Sequence, residues 1–361
     1  MNDFFKFSNF QSVMNKMNLA CPMPQLDFDR ITLGHGSGGL LTHKLLEAGV
    51  FDLLDNEFLQ ARHDGAMLQL QGPTAFTTDS FVISPVFFPG GNIGELAVNG
   101  TVNDLAMCGA VPKYISLGLI LEEGLMMEEL WQVLVAISAA CKRAGVLVVT
   151  GDTKVVERGK GDRIFINTTG IGSMHPQAKI GIENIKAGDK IILSGQMATH
   201  GMAIMSVREG LEFDTTIESD TAALNHMVLR LLDQFGPRAH LFRDPTRGGV
   251  ATVLNEIAQQ AKLGVNLWQE SLPIDEQVAS ACEILGLDPL YVANEGLFLC
   301  IAEADVADKM VEELRNDELG RHAAVIGEVS EEHRGKVILE SGIGGKRIVN
   351  MPAGEQLPRI C

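Results

Sequence analysis

The pattern of apolar and polar residues becomes regular only after residue 28. Residues 1–28 contain Pro22 and Pro24 behind a polar, Asn-rich stretch and show no sustained periodicity. We therefore interpret 1–28 as a flexible N-terminal extension and expect the ordered chain to begin near Asp29.

Residues 29–183 alternate between strand-like and helix-like patterns. Runs rich in β-branched and aromatic residues predict strands, and apolar residues at helical spacing predict helices. The predicted strands are PTAFTTDSFVISPVFFP, KYISLGLILEEG, VLVVTGDTKVV and RIFINTTGIGSM. The predicted helices are LLTHKLLEAGV, residues 93–108 and MEELWQVLVAISAACKRAG, the last of which ends at Gly145.

The pattern restarts with a turn and a strand at IKAGDKIILSG, which predicts a second domain over 184–350. Its predicted helices are 219–235, ATVLNEIAQQAK, 275–285 and 304–316, and its predicted strands include VNLWQ, GLFLCIA and AAVIGEV. Helices and strands mix without strict alternation, so we expect two α+β domains.

The chain ends in MPAGEQLPRIC, residues 351–361. Pro352, Gly354 and Pro358 exclude a helix there, and we expect an extended, mobile tail that carries Cys361.

Composition indicates a soluble globular protein, because 46% of residues are hydrophobic and 21% are charged. No apolar run approaches the roughly 18 residues that span a bilayer, and the N-terminus lacks a signal-peptide pattern, so we expect a cytoplasmic protein. The net charge of −17 argues against nucleic acid or a membrane as partner. A phosphate ligand would have to be held locally.

Six cysteines occur, with no CxxC pair and no zinc-ligand spacing. We expect Cys108, Cys141, Cys282 and Cys300 to be small core residues. Cys21 and Cys361 lie on the two segments predicted to be mobile.

Three glycine-rich loops stand at or near predicted helix starts: HGSGG at 35–39, GGNIG at 90–94 and TRGG at 246–249. Glycines let backbone N–H groups approach a phosphate, and the following helix presents its positive end. A single loop of this kind is equally explained as an ordinary turn, but three of them favour polyphosphate binding.

Four carboxylates occupy unusual positions. Asp79 lies within a strand, Asp104 lies within an otherwise apolar helix, Asp152 lies within VLVVTGDTKVV, and Asp244 precedes Pro245. A carboxylate in an apolar element is costly unless it is paired or binds a metal, and Mg²⁺ prefers oxygen ligands. We predict Asp79, Asp104 and Asp152 as Mg²⁺ ligands, with Asp244 as a fourth. The alternative is that each carboxylate caps a helix or accepts backbone hydrogen bonds.

Lys154 and Arg247 are the predicted phosphate-neutralising cations, and Glu295 in the loop NEG is the predicted base. GxxxxGK[ST] does not occur, which argues against a P-loop site. We expect no Rossmann nucleotide site either.

A cysteine at the end of a frayed chain has little packing role, so Cys361 is the candidate catalytic thiol. The extended tail could span about 33–36 Å, enough to carry the thiol from an outer site into a pocket. Cys21 is the rival nucleophile.

These segments together resemble the HypE family of hydrogenase maturation proteins, within the PurM-like ATPases related to aminoimidazole ribonucleotide (AIR) synthetase. The resemblance runs from about residue 30 to 361. The Gly loops are shared with sister families, whereas GDTKVV and the terminal PRIC are specific to this one. The extension at 1–28 departs from the family pattern.

The resemblance implies two α+β domains, with N-terminal domains pairing in a homodimer that closes a β-barrel. It implies that ATP and Mg²⁺ bind between the domains and that a HypF-like carbamoyltransferase loads Cys361. Dehydration of the carbamoyl group would give a thiocyanate, and the HypC–HypD complex would receive the cyanide. The predicted ATP and phosphate contacts are His35, Gly36, Ser37, Gly38, Gly39, Asn103, Thr153, Asp244, Arg247, Gly248 and Gly249.

Two alternatives stay open. A selenophosphate synthetase also resembles the PurM-like group, but its mobile Cys lies in a Gly-rich segment before a Lys, which this chain lacks. A non-catalytic scaffold for a maturation complex would be compatible with the acidic surface and the extension, but it would not require the acid–lysine set.

Overall fold

The computed structural model describes Met23, residues 28–210 and 216–352, and Gly354, Leu357, Arg359 and Ile360. Cys21, Cys361 and most of the predicted extension lie outside the described residues.

The first half builds a four-stranded sheet backed by two long helices. Its helices are α1 (Leu40–Leu45), α2 (Glu57–Gln60), α3 (Ile93–Met107) and α4 (Met127–Ala144). Its strands are β1 (Thr74–Phe81), β2 (Phe87–Phe88), β3 (Gly91–Asn92), β4 (Ala110–Glu122), β5 (Leu147–Val156) and β6 (Ile164–Met174).

The sheet order is β1-β6-β4-β5, in which only β4 and β5 are parallel. Alternate residues of β4, such as Leu117 and Leu119, are buried with apolar residues of α3 and α4 in one core. The opposite face keeps apolar side chains exposed, including Phe76 at 68% and Ile120 at 43%. β1 and β5 form the two edges of this sheet.

The second half builds a seven-stranded sheet with helices on both faces. Its helices are α5 (Thr199–Glu209), α6 (Asn225–Phe235), α7 (Gly249–Ala261), α8 (Glu276–Leu285) and α9 (Ala304–Arg315). Its strands are β7 (Lys190–Leu193), β8 (Ala239–Arg243), β9 (Gly264–Trp268), β10 (Leu299–Ala302), β11 (Ala324–Ser330), β12 (Val337–Glu340) and β13 (Lys346–Val349).

The strand order is β13-β12-β9-β11-β7-β10-β8. Consecutive residues of β7 point to opposite faces. Ile191 therefore joins a core with Leu254 of α7, whereas Ile192 joins a core with Leu231 of α6 and Met310 of α9. Both halves are mixed α+β, as the sequence predicts.

Several predictions need correction. The helix predicted from 219 starts at Asn225, because polar side chains hold the residues before it: Ser219 Oγ accepts from the Thr221 N–H, and Asn103 Oδ1 accepts from the Leu224 N–H. Four elements, α5, β8, β12 and β13, were not predicted from the sequence. Cys108 is exposed after α3 instead of lying in the core.

Cys141, Cys282 and Cys300 are buried as predicted. Within the ranges that the structure covers, no helix is long and apolar enough to cross a membrane.

Candidate functional site

β1 and α3 bring Asp79 and Asp104 close to each other. The Thr77 hydroxyl, on the same strand face as Asp79, donates to Asp104 Oδ2 at 2.7 Å. The close approach depends on Gly100, because a Cβ there would lie 2.9 Å from the Phe81 ring and 4.0 Å from Asp79 Oδ2. Thus the glycine one turn before Asp104 lets the strand carrying Asp79 pack directly on the helix.

The second half contributes Asp220, Asp244 and Glu295. Asp220 Oδ1 accepts a hydrogen bond from the Glu295 N–H at 3.1 Å. A Cβ on Gly296 would lie 1.5 Å from the Asp220 carbonyl oxygen, so only glycine fits there. The segment containing Asp220 therefore fixes the backbone on which Glu295 is carried.

These five carboxylates act on one another electrostatically, and we call Asp79, Asp104, Asp220, Asp244 and Glu295 the acidic cluster. Burial, followed by the negative charges of the other four, raises the pKa of Glu295 well above its ordinary value. Burial and the neighbouring Asp104 raise the pKa of Asp244 to about 7, and burial raises that of Asp220 to about 6. Burial is the largest cause of each shift and disfavours the ionised carboxylate, which a bound cation would stabilise.

Two oxygens of the cluster are buried without a hydrogen bond from any described residue, namely Asp220 Oδ2 and Glu295 Oε1. A buried carboxylate oxygen without a partner is expensive. Such oxygens are suited to bind a cation or a proton donor of a substrate.

Within the described part of the chain, no group of three or more His, Cys, Asp or Glu side chains is arranged to hold a metal ion. Mg²⁺ commonly takes only one or two protein carboxylates and completes its coordination with water and substrate phosphates. The cluster therefore fits a metal that arrives with a nucleotide better than a permanently caged ion.

Arg247 contributes positive charge to the cluster. Burial raises the pKa values of Asp79 and Asp104, and the charge of Arg247 partly opposes this rise. It precedes Gly248 and Gly249, whose φ angles of 73° and 60° are left-handed. The Gly249 N–H is bonded to the Thr246 carbonyl, which makes this loop a turn at the start of α7. Its phosphate contacts stay a prediction.

The other predicted residues lie at the β5 edge. Lys154 Nζ contacts Asp152 Oδ1 at 2.9 Å, and both side chains are well exposed. The Asp152 carboxylate also accepts from the Thr153 N–H. The 35–39 loop packs closely on this edge. A Cβ on Gly36 would lie only 2.5 Å from the Val155 nitrogen, so the contact requires glycine.

His35 is buried, and its Nδ1 atom accepts from the Thr32 N–H at 3.0 Å. Burial lowers the pKa of His35. Within the same loop, the Gly38 N–H donates to the Thr42 hydroxyl, and the Ser37 hydroxyl donates to the Gly34 carbonyl. These contacts give the loop a local structural role, and its phosphate binding stays a prediction.

The two groups lie on opposite edges of the first sheet. Asp79 on β1 and Asp152 on β5 are separated by β6 and β4, or about 14 Å at the usual strand spacing. One copy of the chain therefore does not bring Asp152 to Asp79 and Asp104 as a single ligand set. A Mg²⁺ site shared by Asp79, Asp104 and Asp152 stays a prediction. Because of this separation, it would require Asp152 to come from a second copy of the chain.

Asn103 joins the two halves of the chain. Its Nδ2 donates to the Ala222 and Glu295 carbonyls, and its Oδ1 accepts from the Leu224 N–H. Through these hydrogen bonds Asn103 holds the segments that carry Asp220 and Glu295. Its contact with a phosphate stays a prediction.

The end of the tail lies next to this region. Ile360 is only 2% exposed and shares a core with Ile204 and Ala293. Arg359 Nε donates to the Val82 carbonyl, three residues after Asp79. The residue before Cys361 therefore belongs to the same buried core as Phe81 of β1 and Ala293 of the loop that carries Glu295. Mobility of the whole tail stays a prediction.

Asp220 and His200 are residues of this region that were not predicted from the sequence. His200 lies in the apolar helix α5 and is fully buried, and its Nε2 contacts the Ile360 carbonyl oxygen at 2.8 Å. A lone histidine in an apolar helix was a usable signal, since burying it requires partners. Asp220 had no local signal, because its partner is 75 residues away.

Comparison with known families matches both halves of the chain. Residues 62–174 match the AIR synthase related protein, N-terminal domain, and residues 186–340 match the C-terminal domain of the same family. The chain is 48% identical to the carbamoyl dehydratase HypE of Azotobacter vinelandii over 333 residues, which cover 92% of this chain and 97% of that protein.

The chain is also similar to solved structures of the same family. The crystal structure of hydrogenase maturation protein HypE in complex with ATP has a TM-score of 0.88 and 46% identity and covers 91% of this chain and 99% of that one. A HypE–HypF complex contains a chain that is 45% identical, with a TM-score of 0.76, covering 87% of this chain and all of that one.

Proposed function

This chain belongs to the HypE family of carbamoyl dehydratases, and we propose that it uses ATP to convert a carbamoyl group on the Cys361 thiol into a thiocyanate. The observation that carries the proposal is that two consecutive residues of α5 contact both the tail and the loop of Glu295. His200 Nε2 lies 2.8 Å from the Ile360 oxygen, and the Gly201 N–H donates to the Ala293 carbonyl at 3.0 Å, two residues before Glu295. The residue before the thiol is therefore held near the loop that carries a buried acid with an unpartnered oxygen.

The reaction needs both ATP and a base. The carbamoyl oxygen attacks the γ-phosphorus, and the bond from that phosphorus to ADP breaks. The carbon–oxygen bond then breaks, phosphate leaves with the former carbonyl oxygen, and a carbon–nitrogen triple bond forms. Two protons leave the nitrogen over the two steps, so a base must be positioned beside it.

Glu295 is the proposed base. Its buried side chain and raised pKa make its carboxylate a stronger base than an exposed glutamate. The Asp220 contact holds its backbone, and its Oε1 atom has no hydrogen-bond partner among the described residues. Both features suit an atom that must receive a proton from a bound group.

Asp79 and Asp104 are proposed to hold Mg²⁺ when ATP binds, with Asp244 beside them. Bound Mg²⁺ would neutralise phosphate charge. Arg247 supplies a fixed positive charge at the same place, as its effect on the pKa of Asp79 indicates.

A homodimer would complete the site. Lys154, Asp152 and the 35–39 loop lie on the edge opposite the acidic cluster, and one face of the sheet leaves Phe76 and Ile120 exposed. Pairing two such faces into a barrel would cover these side chains and could bring Lys154 of one copy to the cluster of the other. Lys154 would then orient the carbamoyl or phosphate group.

The partners follow from the same chemistry. A solved HypE–HypF complex supports a HypF-like carbamoyltransferase as the donor that loads Cys361. The proposed acceptor of the cyanide is iron on a HypC–HypD complex, which makes the product a ligand of a [NiFe]-hydrogenase centre. A cytoplasmic location stays part of this proposal.

The test is a single-turnover reaction of protein carbamoylated at Cys361. With ATP, the tail peptide should become lighter by one water, and one phosphate should be released per carbamoyl group. Cys361→Ala should bind ATP and form no adduct. A scaffold would leave the carbamoyl group unchanged, and thiocyanate formation on Cys21 in the Cys361→Ala protein would refute the assignment of the thiol.

A further inference from the structure

His200 holds the carbonyl group directly before Cys361. Its Nε2 atom lies 2.8 Å from the Ile360 oxygen, and its Nδ1 atom lies 2.7 Å from Ser219 Oγ. The imidazole is fully buried and packs edge-on against the Phe88 ring. The buried ring therefore has two polar partners, one in the tail and one in the segment before Asp220.

The partners determine the tautomer. A carbonyl oxygen can only accept, so Nε2 carries the hydrogen and donates it to Ile360. The Nδ1 atom is then the acceptor, and the Ser219 hydroxyl donates to it. A neutral ring agrees with the direction of its pKa, which burial lowers to about 4.

Ser219 connects this contact to the base. Its Oγ accepts from the Thr221 N–H at 3.1 Å, and its own N–H donates to the Pro89 carbonyl at 2.8 Å. The next residue is Asp220, whose carboxylate accepts from the Glu295 N–H. The segment 219–221 thus contacts His200 through Ser219 and the loop that carries Glu295 through Asp220.

Arginines hold the preceding residue of the tail. Arg208 Nε donates to the Ser84 carbonyl at 2.6 Å, and its NH2 group also donates to the Arg359 carbonyl. Arg359 has a left-handed φ of 52°, and its Nε donates to the Val82 carbonyl at 3.0 Å. Two successive tail carbonyls, of Arg359 and Ile360, are therefore each bound by a side chain of α5.

We propose that His200 is a positioning residue that fixes the register of the C-terminal tail, and so the place of the Cys361 adduct, relative to Glu295 through Ser219 and Asp220. The proposal rests on the function proposed above. An extended tail that slipped by one residue would move the adduct about 3.3 Å. A displacement of about 1 Å can cost about a hundredfold in rate, so dehydration requires the tail to be held in one register.

The test compares His200→Leu, which removes both hydrogen bonds, with His200→Gln, whose amide can still donate to the Ile360 carbonyl. His240→Leu is the matched control, because His240, in β8 of the same domain, is also buried but pairs with Asp189 instead of with the tail. Thermal unfolding of all three variants reports any general loss of stability.

The first readout is alkylation of the Cys361 thiol by iodoacetamide, followed by mass spectrometry of the tail peptide. Of the two hydrogen bonds lost in His200→Leu, the one to the Ile360 carbonyl holds the tail, and its loss should raise the alkylation rate about five- to tenfold. His200→Gln should be closer to wild type, and His240→Leu should match wild type. This readout needs no turnover, so it tests the His200–Ile360 hydrogen bond even if the wild type forms no thiocyanate. Absence of thiocyanate in the wild type would overturn only the proposed function.

The second readout separates loading from dehydration. In His200→Leu the single-turnover dehydration rate should fall about tenfold or more, while carbamoyl transfer to Cys361 stays at least as fast as in wild type. His200→Gln should recover part of the loss. Unchanged alkylation and dehydration in His200→Leu would overturn the proposal, as would equal losses in both steps. If His200→Leu does not fold, Ser219→Ala provides the same comparison, with smaller effects in the same directions.

Discussion

The carboxylate of Asp220 accepts a hydrogen bond from the backbone N–H of Glu295 at 3.1 Å, across 75 residues of sequence. After burial, the negative charge of Asp220 is the largest cause that raises the pKa of Glu295. One residue therefore positions the proposed base and increases its basicity.

Asp220→Asn should separate these two effects. Asn keeps an oxygen that can accept from the Glu295 N–H but removes the negative charge, so the pKa of Glu295 should fall towards its ordinary value. A base acts when deprotonated, so the acidic limb of the rate profile should move to lower pH. Single-turnover dehydration measured across pH would show this shift.

Asp233→Asn is the control for Asp220→Asn, because the Asp233 side chain on α6 is 68% exposed, contacts His175, and is not one of the charges that shift the pKa of Glu295. The profile of that variant should coincide with wild type. An acidic limb that stays in place, or moves to higher pH, in Asp220→Asn would contradict the electrostatic role of Asp220.

Glu295→Gln should leave ATP binding intact and slow dehydration by about 10²- to 10⁴-fold, the usual contribution of a general base. Carbamoylated Cys361 should accumulate, as measured by mass spectrometry of the tail peptide. Glu276→Gln, on the first turn of α8, is the control and should dehydrate normally. Retained dehydration in Glu295→Gln would assign the base elsewhere.

Gly296→Ala should destabilise the protein, because the added Cβ would lie 1.5 Å from the Asp220 carbonyl oxygen. Neither segment can move without disturbing the Asp220–Glu295 contact, so we expect a loss of about 3 kcal/mol or more in the free energy of unfolding. Gly65→Ala is the control, since nothing lies within 4 Å of its Cβ position. Equal denaturant midpoints for the two variants would contradict the packing argument.

The sequence predicted the elements whose signals are local. Helix α4 ends where predicted because Gly145 adopts a left-handed φ of 72°, after basic residues in the last turn. Asp104 stood out because a carboxylate within an apolar helix needs a partner, and the structure gives it Thr77 and the acidic cluster.

What the sequence could not predict depends on strand order and long-range contacts. Asp152 and Asp79 both lie in strands, but nothing local places those strands at opposite edges of one sheet. The roles of Asp220 and of Asn103 arise from contacts 75 and about 120 residues apart. Cys108 follows a buried helix, yet tertiary packing leaves it exposed.

Mixing two inactive variants should test whether the site is shared between copies. If Lys154 of one copy serves Glu295 of the other, Lys154→Ala and Glu295→Gln would each inactivate both sites of a homodimer. Random exchange makes half of the dimers mixed, and each mixed dimer has one intact site, so about a quarter of wild-type activity should return. Sites confined to one chain would recover nothing.

The last prediction concerns the pH dependence of unfolding. The pKa of His200 is lowered from 6.5 to about 4 by burial and, to a lesser extent, by the Arg208 charge. The unfolded chain therefore binds more protons than the folded one between these two values. The stability from neutral His200 is fully present above pH 6.5 and falls as the pH drops towards 4, by up to about 3 kcal/mol.

His200→Gln lacks this proton, so the difference in unfolding free energy between wild type and His200→Gln should shrink from about pH 7.5 to about pH 5, by about 2 kcal/mol. Urea unfolding at the two pH values measures it. Asp220 and Asp244, whose raised pKa values give the opposite dependence, are present in both proteins and cancel in the difference. A difference that is constant with pH would mean that the buried ring does not exclude its second proton, and that the Ser219 hydroxyl does not donate to it.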